Sequence, residues 1–394
     1  MAVDIFLNTA TGLQGAAELR FGLHELRRDL GETTELGDWH DHALAQAAPT
    51  PAELLPRLRG AHVLLVLNPA LIAPRHLLPE LMAVQAATPE GWVQPADPRL
   101  ASGLWQIDYA SRAGFERYVA RRQALPPTQP APPGHTPWVA LAPVPRLRAA
   151  LAKLPEADWP TLLRQLPGPA LIAQRAFVHS YAGYQQADRR EMLDLLPPGM
   201  TRLLDVGGGE GGFALAFQQQ RPHGQAALVE PNAQASELAR QHGVRQVHQL
   251  PFEQVDAAVL GQPFDCISFL DVLEHLTEPL PALQHAASLL PAGGHVLLSV
   301  PNAGHWSVVQ DLLQGRFDYL PLGILCCTHV RFFTERSLRR LVADAGLSVV
   351  RWRNQPSPMP ADLAKALHAA QAAGLPLDTD SLGTDAFHVL AVKP

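Results

Sequence analysis

The chain has 394 residues, room for two domains that each bury a core. Hydrophobic residues make up 47% and charged residues 17%, and the formal net charge of −6 carries no global basic footprint, so nucleic acid is not expected as a partner. The opening Met-Ala-Val-Asp-Ile-Phe has no basic leader, no run approaches the ~20 apolar residues of a membrane helix, and Cys266, Cys326 and Cys327 offer neither a disulfide framework nor zinc spacing. A cytoplasmic protein is expected.

In chain order, residues 1–122 read as a smaller α/β domain. Val3–Leu7 is a short strand, Glu18–Leu30 has helical spacing, Ala61–Leu67 is a continuous apolar run of buried-strand type, and Leu77–Ala87 is a second helix. Half of residues 126–137 are proline, which predicts a stiff extended spacer within a linker over 123–137. Residues 138–200 read as mostly helical with proline breaks. Within them Ala176–Leu196 sets Phe177, Tyr181, Tyr184 and Met192 at helix-like offsets. From 201 to 394 apolar strand candidates alternate with helices: 203–206, 226–230, 244–248, 265–270 and 294–300, then 347–353 and 386–392. That alternation predicts a parallel sheet covered on both faces.

The first of these strands ends in Asp205, and five glycines then crowd into residues 207–212. Glycine turns the chain at positive φ and admits a ligand close to the backbone. With a strand before it and a helix after it, the turn has the form of a nucleotide-type pocket. Gly207-x-Gly209-x-Gly211 fits an S-adenosylmethionine (SAM) loop; Gly207-x-Gly209-x-x-Gly212 fits a dinucleotide fingerprint equally well. Asp205, where a carboxylate can face a sulfonium or ammonium, and Glu230 at the tip of the next strand, where it can accept two ribose hydroxyls, favour SAM.

Four segments in order then resemble the Rossmann-like SAM-dependent methyltransferases over roughly residues 180–394. They are Leu-Leu-Asp-Val-Gly-Gly-Gly-Glu-Gly from Leu203, Leu-Val-Glu-Pro-Asn from Leu228, Phe-Asp-Cys-Ile-Ser-Phe-Leu-Asp-Val-Leu-Glu-His-Leu from Phe264, and Leu-Leu-Pro-Ala-Gly-Gly-His-Val-Leu-Leu-Ser-Val-Pro-Asn from Leu289. The resemblance implies a seven-stranded sheet closed by an antiparallel pair, with the helical lead-in covering the cofactor. It also implies cofactor contacts from Asp205, Gly207, Gly208, Gly209, Gly211, Glu230, Pro231, Leu270 and Asp271, with Leu250, Pro251 and Phe252 about the adenine.

Methyl transfer to a hydroxyl needs the acceptor aligned and its proton removed. Asp271, Glu274 and His275 share one face if their turn is helical. His329 follows in Thr-His-Val-Arg-Phe-Phe-Thr and His305 in Pro-Asn-Ala-Gly-His-Trp. The Glu-His and Thr-His-x-x-Phe-Phe-Thr elements resemble metal-assisted methyltransferases of small-RNA ends and of the ubiquinone pathway. That implies a divalent cation on Asp271, Glu274, His275 and His329. The alternatives are His275, His329 or His305 acting directly as base, or a structural role. Trp306, Phe317 and Tyr319 are candidates to stack on an acceptor ring within a cap over 303–327. Cys326-Cys327 stands where relatives carry a charged pair.

Residues 63–74, Val-Leu-Leu-Val-Leu-Asn-Pro-Ala-Leu-Ile-Ala-Pro, resemble a strand and loop of nucleotide-sugar glycosyltransferases, with Ala70 in place of the carboxylate that usually follows Asn-Pro. This implies a domain without transfer activity. The function expected is O-methylation of a sugar, glycan precursor or other small metabolite. The rivals are N- or C-methylation of a small molecule or peptide, a SAM-binding scaffold, and a nicotinamide dehydrogenase. Oligomeric state is left open.

Overall fold

The computed structural model describes residues 3–7, 16–31, 36–41, 49–100, 111–181, 188–221 and 223–394, and the backbone alone for 16, 31 and 36–41. The chain divides into two compact units, 1–182 with 320–322, and 183–319 with 323–394.

The first unit is α/β, as its apolar runs predict. Its strands are β1 (Val3–Leu7), β2 (Leu36–Asp41), β3 (His62–Val66), β4 (Leu71–Ile72), β5 (Trp92–Ala96), β6 (Thr128–Pro130), β7 (Val139–Pro143), β8 (Ala170–Phe177) and β9 (His179–Ser180). They form a mixed sheet in the order β2-β1-β3-β7-β5-β8-β6 and a small pair, β4-β9. Val3, Ile5 and Leu7 face a core built with Leu19, Leu23 and Leu26 of the 16–31 helix and Leu78 and Leu81 of the 77–87 helix. Phe6 and Leu65 face the opposite core with Leu147, Trp159 and Leu162. Burial on both faces explains why these strands read as unbroken apolar runs.

Two expectations fail in this unit. The proline-rich stretch is no spacer: Thr128–Pro130 pairs antiparallel with β8, Gln129 opposite Ile172. At a sheet edge proline gives up no ladder bond, so the composition suits this position as well as a linker. Nor are residues 138–200 mainly a helical lead-in. β7 and β8 lie inside the first sheet, the contact boundary falls at 182/183 rather than at 122, and the expected helix over Ala176–Leu196 is the end of β8, then β9, then a short 3-10 helix at Arg190–Leu195. Tyr184 lies outside the described residues. Leu166-Pro-Gly-Pro169 stops any helix before β8, and Phe177, the last residue of β8, packs on Tyr118 of the 112–121 helix at 4.9 Å.

The second unit carries β10 (Arg202–Val206), β11 (Gln225–Val229), β12 (Gln246–His248), β13 (Cys266–Leu270), β14 (His295–Pro301), β15 (Ser348–Pro356) and β16 (Thr384–Val392). Among the described residues the sheet order is β12-β11-β10-β13-β14-β16-β15. The first five are parallel; β16 runs antiparallel to β14, and β15 antiparallel to β16. All seven strand candidates are therefore present within a few residues. Leu204, Val206, Ile267, Phe269 and Leu298 pack on Leu283, Leu338 and Val342 of the flanking helices. Leu203, Leu228, Cys266 and Leu297 pack on Phe213 and Phe217 from the helix that follows the glycines. Each fully buried side chain of this size contributes about 1.5–3 kcal/mol. Cys266 is wholly buried, and burial pushes its thiol pKa far up, so it serves packing. Register aligns Val206 with Val229 and with Phe269, and Leu270 with Ser299. The carboxyl ends of β10, β11, β13 and β14 thus open into one crevice, at the point where strand order reverses.

Candidate functional site

At the β10 tip, Gly207, Gly209 and Gly211 take φ of 67°, 55° and 81°. Gly207 donates its N–H to the Val229 carbonyl at 2.8 Å, locking the turn onto the neighbouring strand. Gly208 needs its missing side chain for space: a Cβ there would stand 2.1 Å from Asp205 Oδ2 and 2.8 Å from Leu228 Cδ1. The bend leads directly into the Gly212–Gln220 helix, whose N-terminal amides face the crevice.

Asp205 lies behind this bend, 1% exposed. Its Oδ1 accepts the Ser268 hydroxyl at 2.7 Å, and its Oδ2 is buried without a hydrogen-bond partner. Burial, reinforced by Glu230, raises its pKa to about 7 against the opposing Ser268 bond. Glu230 ends β11. Its Oε2 accepts the Gly209 N–H at 3.0 Å and its Oε1 the Asn232 N–H at 2.9 Å, while burial raises its pKa. The two acids thus take different stations: Glu230 is tied to the loop itself, and Asp205 supports it from beneath. Pro231 is exposed beside Glu230, and Leu250 and Pro251 are half-buried. Phe252 departs from expectation. It points into the core, edge-to-face with Phe269 at 5.2 Å and with His285 at 5.1 Å, so it does not flank a ligand.

After β13 the turn that was to align three candidates is not helical at its start. Asp271 has φ 56°, and the 3-10 turn covers Leu273–His275 only. The Asp271 carboxylate is engaged elsewhere: Oδ2 pairs with Arg189, and Oδ1 accepts the Ser299 hydroxyl at 2.7 Å. It therefore stands apart from the cluster of groups that could hold a cation, which is Glu274, His275 and His329 with ligand atoms within 4.8 Å of one another.

Backbone bonds build that cluster. The Glu274 carbonyl accepts the N–H groups of Val330 at 2.8 Å and Arg331 at 3.0 Å, which fastens the 328–331 loop against the turn. His329 Nε2 comes within 4.0 Å of Glu274 Oε1, and the two imidazoles meet edge-to-face at 4.7 Å. His329 Nδ1 lies 2.9 Å from the Ile324 carbonyl and His275 Nδ1 3.3 Å from that of Thr328. A carbonyl can only accept, so Nδ1 carries the proton in each neutral ring and the lone pair sits on Nε2, the arrangement typical of metal-binding histidines. Glu274 is 1% exposed, with neither carboxylate oxygen hydrogen-bonded. Burial and then Asp271 raise its pKa well above the ordinary carboxylate range. A buried acid without hydrogen bonds, beside two imidazoles of this tautomer, is a donor set that fits a divalent cation.

His305 does not join it. Its Nδ1 caps the Trp306–Leu313 helix, accepting the Ser307 N–H at 3.2 Å, and burial lowers its pKa to about 4. Trp306 is 3% exposed and packs on His305. Phe317 and Tyr319 are exposed and meet edge-to-face at 5.7 Å, and Phe317 meets Phe332 at 5.5 Å. Phe332 in turn lies 6.4 Å from His329, so this aromatic surface continues from the imidazole pair. Cys326 is buried, with Sγ 3.2 Å from Thr328 Oγ1.

Sequence reasoning missed Arg189, Ser268 and Ser299. The serines had a signal: each is a lone polar residue inside a buried apolar strand, where a polar group needs a partner. Arg189, in Ala-Asp-Arg-Arg-Glu, had none.

Residues 158–351 match the family model of a methyltransferase domain. Solved structures with similar folds include a SAM-dependent methyltransferase from Thermotoga maritima, at 17% identity over 54% of this chain and 89% of its own, TM-score 0.37. An O-methyltransferase family 2 protein from Planctomyces limnophilus in complex with apigenin is 23% identical over 52% of this chain and 56% of its own, TM-score 0.35. The mitomycin 7-O-methyltransferase is 15% identical over 54% of each chain, TM-score 0.35. No curated protein matches the chain. Among the described residues no helix is long and apolar enough to cross a membrane.

Proposed function

We propose that the protein, whose residues 158–351 match the model of a methyltransferase domain, is a SAM-dependent methyltransferase that methylates a hydroxyl of a small metabolite, a sugar or a glycan precursor. The single observation that carries the reading is Glu274: a buried carboxylate without hydrogen bonds, within ligand distance of His275 and His329. A neutral amine attacks through its own lone pair and needs no group of this kind to make it nucleophilic. A hydroxyl does, because its proton must leave as the methyl arrives.

In this reading the cofactor rests on the Gly207–Gly211 bend, with Glu230 accepting its ribose hydroxyls and Asp205 supporting the loop. Gly208 lets the bend sit directly on Asp205, since a Cβ there would clash with the buried carboxylate beneath it. The bound cofactor supplies a methyl group on a good leaving group. Glu274, His275 and His329 would hold a divalent cation, which lowers the pKa of a coordinated hydroxyl. His275, exposed at the rim, and the Phe317–Tyr319–Phe332 surface orient the acceptor.

The test is methyl transfer from labelled SAM to a panel of hydroxylated acceptors, with chelator-treated protein and with Mg²⁺, Mn²⁺ or Zn²⁺ restored. Loss on chelation and recovery with one cation is expected. Transfer that survives chelation but fails in His275→Ala and His329→Ala would assign proton removal to the imidazoles directly. Full transfer in both variants would move the acceptor to nitrogen or carbon.

For the first unit we infer substrate presentation rather than glycosyl transfer. Ala70 offers no carboxylate, and Asn68 is spent on local bonds, its Oδ1 accepting the Ala70 N–H at 3.0 Å and its Nδ2 donating to Ser180 at 2.8 Å. Incubation with nucleotide sugars should release no nucleoside diphosphate.

A further inference from the structure

Among the described residues eleven large apolar side chains stand exposed, and six of them fall within residues 312–332: Leu312, Leu313, Phe317, Tyr319, Val330 and Phe332. Leu313 is 76% exposed and Leu312 53%, side by side in the last turn of the Trp306–Leu313 helix. Exposed apolar groups scattered singly need no explanation, whereas a gathering of them marks a surface that something covers.

Local bonds bring these residues together. After the helix the chain turns tightly, with the Gly315 N–H on the Leu312 carbonyl at 3.0 Å and the Arg316 N–H on that of Asp311 at 2.9 Å. Phe317 follows at once and meets both Tyr319 and Phe332. Val330 and Phe332 belong to the loop that the Glu274 carbonyl fastens, and Phe332 stands 6.4 Å from His329. The surface thus begins at the Glu274–His275–His329 cluster and leads away from it through the rings. Its charges are spent within the chain: Arg316 pairs with Asp318 at 2.6 Å, and Arg331 donates to the carbonyls of Thr277 and Val330. What remains on offer is hydrocarbon.

A compact polar sugar would reach the cluster without covering most of this surface. A second copy seated on it would crowd His275, the exposed imidazole that an acceptor must approach. A hydrocarbon chain carried by the acceptor meets both demands, covering the surface and leaving the hydroxyl at the cluster. We propose that the acceptor is amphiphilic, a hydroxylated head on an alkyl chain, and that the surface from Phe332 to Leu313 receives the chain. This deepens the hydroxyl-acceptor reading and rests on it.

Calorimetry with hexyl, octyl and decyl β-glucoside, each below its micelle concentration, tests it. Affinity should rise about twofold per added methylene, half in free energy of what full burial gives. The double variant Leu312→Ser/Leu313→Ser should flatten that rise. Leu375→Ser, at an exposed leucine outside 312–332, should keep it, and neither variant should shift Tm. A flat series in the unaltered protein, or an undiminished rise in the double variant, would overturn the assignment while leaving methyl transfer to short-chain acceptors standing. So would a dimer in sedimentation, or binding to phosphatidylcholine vesicles, that the double variant abolishes, since the surface would then belong to a second copy or to a bilayer. If labelled SAM gave its methyl to no hydroxyl, the reaction reading itself would fall, and the proposal with it.

Discussion

The Asp205 carboxylate lies directly behind Gly208, its Oδ2 2.1 Å from where a Cβ would stand. Loop and acid therefore cannot both keep their places if Gly208 gains a methyl group. Gly208→Ala should cost about 1–3 kcal/mol of stability, as overpacking does, and should abolish S-adenosylhomocysteine binding by calorimetry. Gly199→Ala, with nothing within 4 Å of its Cβ, is the control and should leave both unchanged.

Asp205 also sets a pH dependence. Its carboxyl titrates near 3.8 when exposed and near 7 when folded, because burial disfavours the charge. Between those values the folded chain binds more protons than the unfolded one. The contribution of this group to stability is thus fully present below pH 3.8 and lost as pH rises through about 7. Asp205→Asn removes the penalty. Denaturant titrations should find its stability relative to the unaltered protein rising between pH 4 and 7 and level above, by up to about 4 kcal/mol.

Glu274 links the cation to stability. Without a cation the buried acid has no hydrogen bond to offset its desolvation. In chelator, Glu274→Gln should melt no lower than the unaltered protein. An added cation at a hundredfold over its Kd should stabilise the unaltered protein by about 2.7 kcal/mol and leave Glu274→Gln unmoved. Thermal melts with and without each metal check this. A cation response retained in the variant would remove Glu274 from the site.

The aromatic residues of the 303–327 segment divide by burial. Trp306, at 3% exposure, belongs to the core, and Trp306→Ala should cost about 3–5 kcal/mol. Phe317, at 42%, and Tyr319, at 40%, support nothing comparable. Phe317→Ala and Tyr319→Ala should leave Tm within a degree or two and raise the acceptor KM severalfold with the SAM KM unchanged.

Sequence reading reached different parts of the molecule unequally. The strands β10 to β16 were legible because each is a buried apolar run between breakers. The turn at 207–211 was legible because Gly207, Gly209 and Gly211 take positive φ, which favours glycine. Residues 126–137 misled because proline density marks an edge strand and a spacer alike. Asp271 misled because a helical turn was assumed where the chain goes left-handed to meet Arg189, 82 positions earlier. His305 and Phe252 misled because a histidine after a strand and an aromatic after a turn read the same whether they face a ligand or a core.

By itself the sequence determined the α/β character of both units, the bend after β10 and the acids at two strand tips, since these depend on residues adjacent in the chain and on backbone freedom. Tertiary structure alone decided which unforeseen groups meet: Ser268 with Asp205, Arg189 with Asp271, Phe252 with the core. Those pairings depend on how helices and loops pack across the sheet, where buried charge and volume must be satisfied by whatever the fold brings near.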